Sequence, residues 1–209
     1  MPNETIAIVD SGIGNLKSIA NMLSRIGVAS RLVSRPEEVA LATKILLPGV
    51  GAFDAGMAAL HERGLVDVLN ERACVAKVPI LGICLGMQLL AEASEEGERQ
   101  GLGWIPGCSQ RFSFPETVPP LRVPHMGWNT VIPSRECVLL THVPMPRRFY
   151  FVHSYHVVCR DPADVLATTS YGIPFVSAVA RGNIMGVQFH PEKSHKYGMA
   201  LLRAFAELA

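Results

Sequence analysis

Hydrophobic positions along the first ninety residues follow two alternating rhythms. Ile6-Ala7-Ile8-Val9 is an unbroken apolar run of strand length that stops at the turn-forming stretch Asp10-Ser11-Gly12-Ile13-Gly14-Asn15. Leu16, Ile19, Leu23 and Ile26 then recur at helical spacing. Ser30 to Ser34 reads as a second strand, and Ser34-Arg35-Pro36-Glu37 has the form of a capping box opening a short helix. Lys44-Ile45-Leu46-Leu47 is a third strand, halted by Pro48-Gly49-Val50-Gly51. Helical spacing resumes from about Asp54 to Ala73, Val78 to Ile83 forms a fourth strand, and Leu85 to Ala93 opens another helix. Strands without polar alternation are covered on both faces. The pattern therefore predicts an α/β fold in three layers, a mostly parallel central sheet flanked by helices. In such sheets ligands lie beyond the carboxyl ends of the strands, so the Gly-rich turns after strands one, three and four should meet on one rim.

The second half has a different texture. Arg111 to Pro124 is Pro-rich and reads as an irregular surface loop. From Val138 onward short strands dominate, at Arg148–Val152, His156–Cys159, Val165–Thr168, Phe175–Ala180 and Ile184–Phe189, which the turn signals between them predict as an antiparallel extension of the sheet. A last helix, Gly198 to Leu208, carries Leu201, Phe205 and Leu208 on one stripe. There is no internal repeat, and 209 residues suit a single domain over 1–209.

Composition narrows the function classes. Nineteen Lys+Arg against eighteen Asp+Glu leave a net charge of +1, which supplies no field to hold a polyanion, so neither nucleic acid nor an acidic membrane is expected as a main partner. The five cysteines are odd in number and none form CxxC, which argues against a disulfide framework or structural zinc and for a reducing compartment. Met1-Pro2-Asn3-Glu4-Thr5 lacks a basic and apolar leader pattern, and no apolar run approaches the ~18 residues of a membrane span. The expectation is a cytoplasmic chain with no metal and no cofactor.

The chemistry concentrates in Ile80-Leu81-Gly82-Ile83-Cys84-Leu85-Gly86-Met87-Gln88. A strand ending in Gly-x-Cys-x-Gly with a helix directly after it is a nucleophile elbow with Cys in place of Ser. The two glycines allow a sharp turn, which presents Cys84 to solvent with the helix N-terminus favouring its thiolate. Of seven histidines, His190 follows an apolar strand and precedes Pro191, with Glu192 two residues on, so the carboxylate can orient the imidazole toward Cys84. Donors for a developing oxyanion are available from the Leu85 amide and from the flexible Val50-Gly51 backbone. His153 and His156, three apart in a strand, point to opposite faces and read as core or rim residues rather than metal ligands. Gly12-Ile13-Gly14 is only a fragment of a dinucleotide fingerprint, and no Gly-Lys-Ser/Thr forms a phosphate loop.

Together PGVG, GICLGMQ and HPE resemble the class I (triad) glutamine amidotransferases, which have a flavodoxin-like parallel sheet. Leu81–Leu90, His125-Met126-Gly127-Trp128-Asn129, Tyr150–Tyr155, Gly186–Ser194 and the opening Asp10-x-Gly12-x-Gly14-Asn15-Leu16 most resemble one branch, the glutaminase subunits of imidazole glycerol phosphate synthases. That resemblance spans essentially the whole chain. It implies hydrolysis of glutamine to glutamate and ammonia by Cys84, His190 and Glu192, with Gly51, Gln88 and Glu96 near the substrate's amino end and Ser154-Tyr155 at its carboxylate. It further implies a (β/α)₈-barrel cyclase subunit as partner in a heterodimer, met by Asn15, Met126, Tyr150 and Lys193. That partner would use the ammonia to make imidazole glycerol phosphate and an aminoimidazole carboxamide ribotide in histidine biosynthesis. The Gly49–Gly51 segment can flip a peptide plane, so an oxyanion hole incomplete until the partner binds is expected. The Gly82-x-Cys84-x-Gly86 elbow alone equally fits another pathway's glutaminase or a different Cys-dependent hydrolase, and a catalytically silent regulatory subunit would not need all three triad residues.

Overall fold

The computed structural model describes residues 5–115 and 121–208. The leader reading on Met1–Glu4 and the 116–120 part of the Pro-rich stretch lie outside those residues. Four strands of the first half form where they are expected: β1 Ile6–Val9, β2 Ser30–Val33, β3 Ile45–Gly49 and β4 Ile80–Cys84. All are parallel, and β1, β3 and β4 are buried throughout because helices cover both sheet faces. The helix α1, Leu16–Arg25, packs Ile19 and Leu23 inward.

The second helix, α2, runs Pro36–Ala40, and its capping differs from the expectation. Pro36 takes the first helical position, so Arg35 becomes the N-cap rather than Ser34. The acid that folds back is consequently Glu38, not Glu37: its Oε2 accepts the backbone N–H groups of Ser34 and Arg35 at 3.1 and 3.2 Å. The long helical stretch expected over 54–73 is also divided. Gly64, at φ +64°, ends α3 (Phe53–Glu62) before α4 (Leu65–Asn70), which runs into a wide π-type turn at Glu71–Val75. The helix after β4 is short, α5 Leu85–Leu89, and Ala93 belongs instead to β5, Ala93–Ser94.

The later strands are β6 Gly107–Arg111, β7 His125–Thr130, β8 Ile132–Pro133, β9 Arg148–His153, β10 Tyr155–Cys159, β11 Val165–Tyr171, β12 Ile173–Arg181 and β13 Ile184–Val187. The main sheet has the order β2-β1-β3-β4-β13-β12-β11-β8. The expected antiparallel extension is present in β12, β11 and β8, with two corrections. β13 is parallel to β4, in register Val187↔Ile83, and only its far edge pairs antiparallel with β12. β9 and β10 leave the main sheet altogether: β9 pairs with β7, and β10 with β6, which also carries β5. Ser154 separates the two, so one apolar stretch feeds two satellite sheets. Val138 itself opens a short helix, α6 Val138–Thr141, and the chain closes with α7, His195–Ala206. The loop after β6 is not wholly on the surface either, since Phe112 is buried against Phe175, His153 and His156.

One packing constraint fixes the rim. A Cβ at Gly86 would sit 1.7 Å from the Leu47 carbonyl oxygen, and one at Gly82 would sit 2.6 Å from the Gly86 oxygen. Only bare backbone lets α5 lie this close to β3 and β4. Gly86→Ala should therefore destabilise the fold by about 3 kcal/mol or more, beyond ordinary overpacking, as read by urea unfolding.

Candidate active site

Three neighbouring parallel strands end side by side. Gly49 of β3 is in register with Cys84 of β4, and β13 lies on the other side of β4, so Gln188 and His190 emerge just past its end. Cys84 has φ +55° and ψ −111°, a conformation that L-residues with a Cβ rarely adopt. Such a residue persists only when its surroundings over-determine it, at a cost of order 1–3 kcal/mol. This is the elbow expected from the glycine spacing. The side chain is not presented openly to solvent, however: Cys84 is 7% exposed, at the floor of a cavity.

That cavity has a volume of about 610 Å³. It brings together Cys84, His190, Val50, Gly51, Leu85, Gln88, Glu96, Ser154, Tyr155 and Lys193, all named from sequence. Glu192 stands behind His190, its Oε1 2.8 Å from the His190 Nδ1, both side chains almost fully buried. The turn that carries them is clamped by Ser194, whose hydroxyl donates to the His190 carbonyl at 2.6 Å and accepts the Tyr150 N–H at 3.0 Å. The His190 N–H completes the clamp by donating to the Tyr150 carbonyl at 2.9 Å. Of the remaining expected residues, Tyr150 lies beneath the Lys193 ammonium, 5.6 Å from ring centroid to Nζ. Met126 is exposed on β7, and Asn15 is exposed at the start of α1; neither lines the cavity.

The electrostatics distinguish His190 from the other buried histidines. Burial is the largest influence and disfavours its imidazolium, but the Cys84 sulfur and the Glu192 carboxylate together overcome it, raising the pKa to about 9. His190 Nε2 has no hydrogen-bond partner within the described residues, so it is free to exchange a proton with Cys84 or with a ligand in the cavity. The site thus holds a thiol, an imidazole that keeps its proton up to about pH 9, and a carboxylate hydrogen-bonded to that ring.

His153 and His156 are not on opposite faces, because the break at Ser154 intervenes between β9 and β10. Both rings pack on Phe112 and Phe175. Among the described residues no group of three or more His, Cys, Asp or Glu side chains is placed to hold a metal ion. Sequence reasoning missed Gln188. Its Nε2 donates toward the Cys84 Sγ at 3.8 Å, and its Oε1 accepts from Gln88 Nε2 at 3.1 Å. The signal was there, since residues two apart after a strand share a face, and Gln188 stands two before His190.

The family model for glutamine amidotransferase class-I matches residues 7–208. The chain belongs to the class-I glutamine amidotransferases. Similar amidotransferases include "Imidazole glycerol phosphate synthase subunit HisH 2" of Pseudomonas aeruginosa, 50% identical over 97% of this chain and 99% of the relative. The protein of the same name in Methanococcus maripaludis is 49% identical over 98% of this chain and all of the relative. Among solved structures, one titled "Crystal structure of glutamine amidotransferase" aligns at a TM-score of 0.72 and 20% identity over 97% of each chain. A Thermotoga maritima structure described as PurLQS aligns at 0.72 and 16% identity over 97% of each. At those identities they show the amidotransferase fold alone.

A proton bound more tightly in the folded state stabilises it below the ordinary pKa and stops doing so above the folded one. The stability that His190 contributes is therefore fully present below about pH 6.5, its unfolded value, and lost as pH rises through about 9. The gap in unfolding free energy between the native chain and His190→Asn should accordingly narrow between pH 6.5 and 9, measured by denaturant titration across that range.

Proposed function

We propose that this chain is the glutaminase subunit of an imidazole glycerol phosphate synthase, hydrolysing L-glutamine to glutamate and ammonia for a cyclase partner in histidine biosynthesis. The observation that carries the reading is the junction of the strained Cys84 elbow with the buried His190–Glu192 pair on the adjacent parallel strand. Relatives bearing the synthase name at 46–50% identity over nearly the full chain support the pathway assignment.

In this reading His190 already holds the proton that Cys84 gives up, and the sulfur attacks the glutamine carboxamide carbon. The carbonyl oxygen takes up negative charge, which the amides of Leu85 and of Val50 or Gly51 stabilise. The tetrahedral intermediate collapses as His190 returns a proton to the nitrogen, releasing ammonia and leaving a glutamyl thioester on Cys84. His190 then takes a proton from water, whose oxygen attacks the thioester, and the Cys84 sulfur leaves to give glutamate. Glu192 keeps the imidazole aimed throughout. Gln88 and Glu96 offer acceptors on one side of the cavity for the substrate's ammonium group, and Ser154-Tyr155 faces its carboxylate.

The cyclase subunit, a (β/α)₈ barrel in this reading, seats near Asn15, Met126, Tyr150 and Lys193. The exposed Met126 and Trp128 on β7 and the Lys193 side chain at the cavity margin support that placement. Among the described residues no helix is long and apolar enough to cross a membrane. All five cysteines are unpaired, which supports a reducing, cytoplasmic setting.

The test is a synthase assembled with its cyclase and supplied with either glutamine or free ammonia. Cys84→Ala should lower glutamine-dependent turnover by about 10⁴-fold or more while leaving ammonia-dependent turnover in place. The unmodified chain should release ammonia from glutamine faster with the cyclase than alone. Glutamine-dependent activity that survives in Cys84→Ala would overturn the assignment.

A further inference from the structure

From His153, which lines the cavity, runs a chain of hydrogen bonds in which the two ends determine every proton. His153 Nδ1 lies 2.8 Å from the Tyr155 carbonyl oxygen, which can only accept, so this nitrogen carries the hydrogen. Burial holds the His153 pKa down at about 3, so the ring is neutral and its Nε2 is a bare acceptor. It therefore accepts from His125 Nδ1 at 3.0 Å. His125 is also kept neutral by burial, at about 4, which makes its Nε2 the acceptor for Asn129 Nδ2 at 3.2 Å. The Asn129 amide is oriented independently, since Nδ2 also donates to the Ser170 carbonyl at 2.9 Å and Oδ1 accepts the Thr130 N–H at 2.8 Å.

The other end of the chain reaches the ligand cavity. The Tyr155 carbonyl accepts a second hydrogen bond from Gln88 Nε2 at 3.1 Å, and the remaining Gln88 hydrogen goes to Gln188 Oε1, also at 3.1 Å. Both donors of the Gln88 amide are thereby used. Its Oε1 is the part left to meet a ligand, and Gln88 lines the cavity together with Glu96. Turning this amide over would set two oxygens against each other at both Tyr155 and Gln188, so the network admits one orientation.

We propose that His153, its tautomer set by His125 and Asn129, is a positioning residue that pins the Tyr155 carbonyl against Gln88 and so keeps the Gln88 carboxamide oxygen turned toward the substrate's α-ammonium group. This rests on the glutaminase reading. His153 stands where the chain leaves β9 for β10, and its Nδ1–H ties that turn to the carbonyl on which Gln88 is hung. Without it the Tyr155 carbonyl has one anchor fewer and can swing away from Gln88, which loosens one of the two bonds that hold the Gln88 oxygen toward the cation.

The synthase assembled with its cyclase provides the test. His153→Phe keeps a ring against Phe112 and Phe175 while removing both nitrogens, and Asn129→Leu removes the outermost donor from a partly exposed position. The two substrates are glutamine and glutaramate, which is glutamine without its α-amino group. His153→Phe should lower kcat/KM for glutamine about tenfold, mostly through KM, and change the value for glutaramate by less than twofold. Asn129→Leu should act in the same direction by about threefold. Equal losses on both substrates, or no loss on either, would overturn the proposal. Should His153→Phe fail to alkylate at Cys84 as the native chain does, Asn129→Leu decides the matter by the same ratio. A native synthase that does not hydrolyse glutamine sinks the underlying glutaminase reading instead, and that result is distinct from any change in the ratio.

Discussion

The site depends on one backbone strain, the positive φ of Cys84 at the junction of β4 and α5. A strain of that size survives because the neighbouring backbone leaves nowhere else to go. Gly82 and Gly86 bring the first turn of α5 into contact with the main chain of β3 and β4, at distances that no Cβ tolerates. The parallel partners on either side then hold the strand end from both flanks. The sulfur is therefore located by sheet register rather than by contacts of its own side chain. The same register sets Gly49 on one side of it and the Gln188–His190 segment on the other. A cysteine, histidine and glutamate brought together in this way come from positions more than a hundred apart without any long loop having to reach across.

How much of this the sequence discloses varies with what each residue type encodes. β1, β3 and β4 are legible because each is a largely apolar run, and the elbow is legible because glycines at 82 and 86 have no other reason to flank a cysteine. β13 carries the same mark, since Ile184–Val187 is buried at every position, and by the rule that made the first four strands parallel it should also have been read as parallel. Its place among alternating strands obscured that. The departure of β9 and β10 into satellite sheets was hidden for a different reason: apolar patterning reports that a face is buried, not which partner buries it. The helix break at Gly64 and the shift of the α2 cap to Arg35 depend on local backbone angles that periodicity does not see. His125 and His153 lie twenty-eight positions apart on paired strands, and nothing in the spacing of either announces that they share a hydrogen bond.

Buried histidines in this protein divide by the company they keep. Desolvation pushes the proton off all of them. At His190 a carboxylate on one side and a sulfur on the other reverse that outcome, and burial strengthens both attractions because little water is present to screen them. His125 and His153 have no such carboxylate and stay neutral, and a neutral imidazole is a directional link, with one donor and one acceptor. These two behaviours need each other. A second cation at His153 would oppose the proton on His190, which already acts unfavourably on His153. A neutral chain can therefore run beside the charged His190–Glu192 pair without disturbing it. The division also explains why Gln188, with an uncharged amide, stands between Gln88 and Cys84. It can accept from one and donate to the other, which a carboxylate or an ammonium at the same position could not do without shifting the balance that keeps His190 protonated.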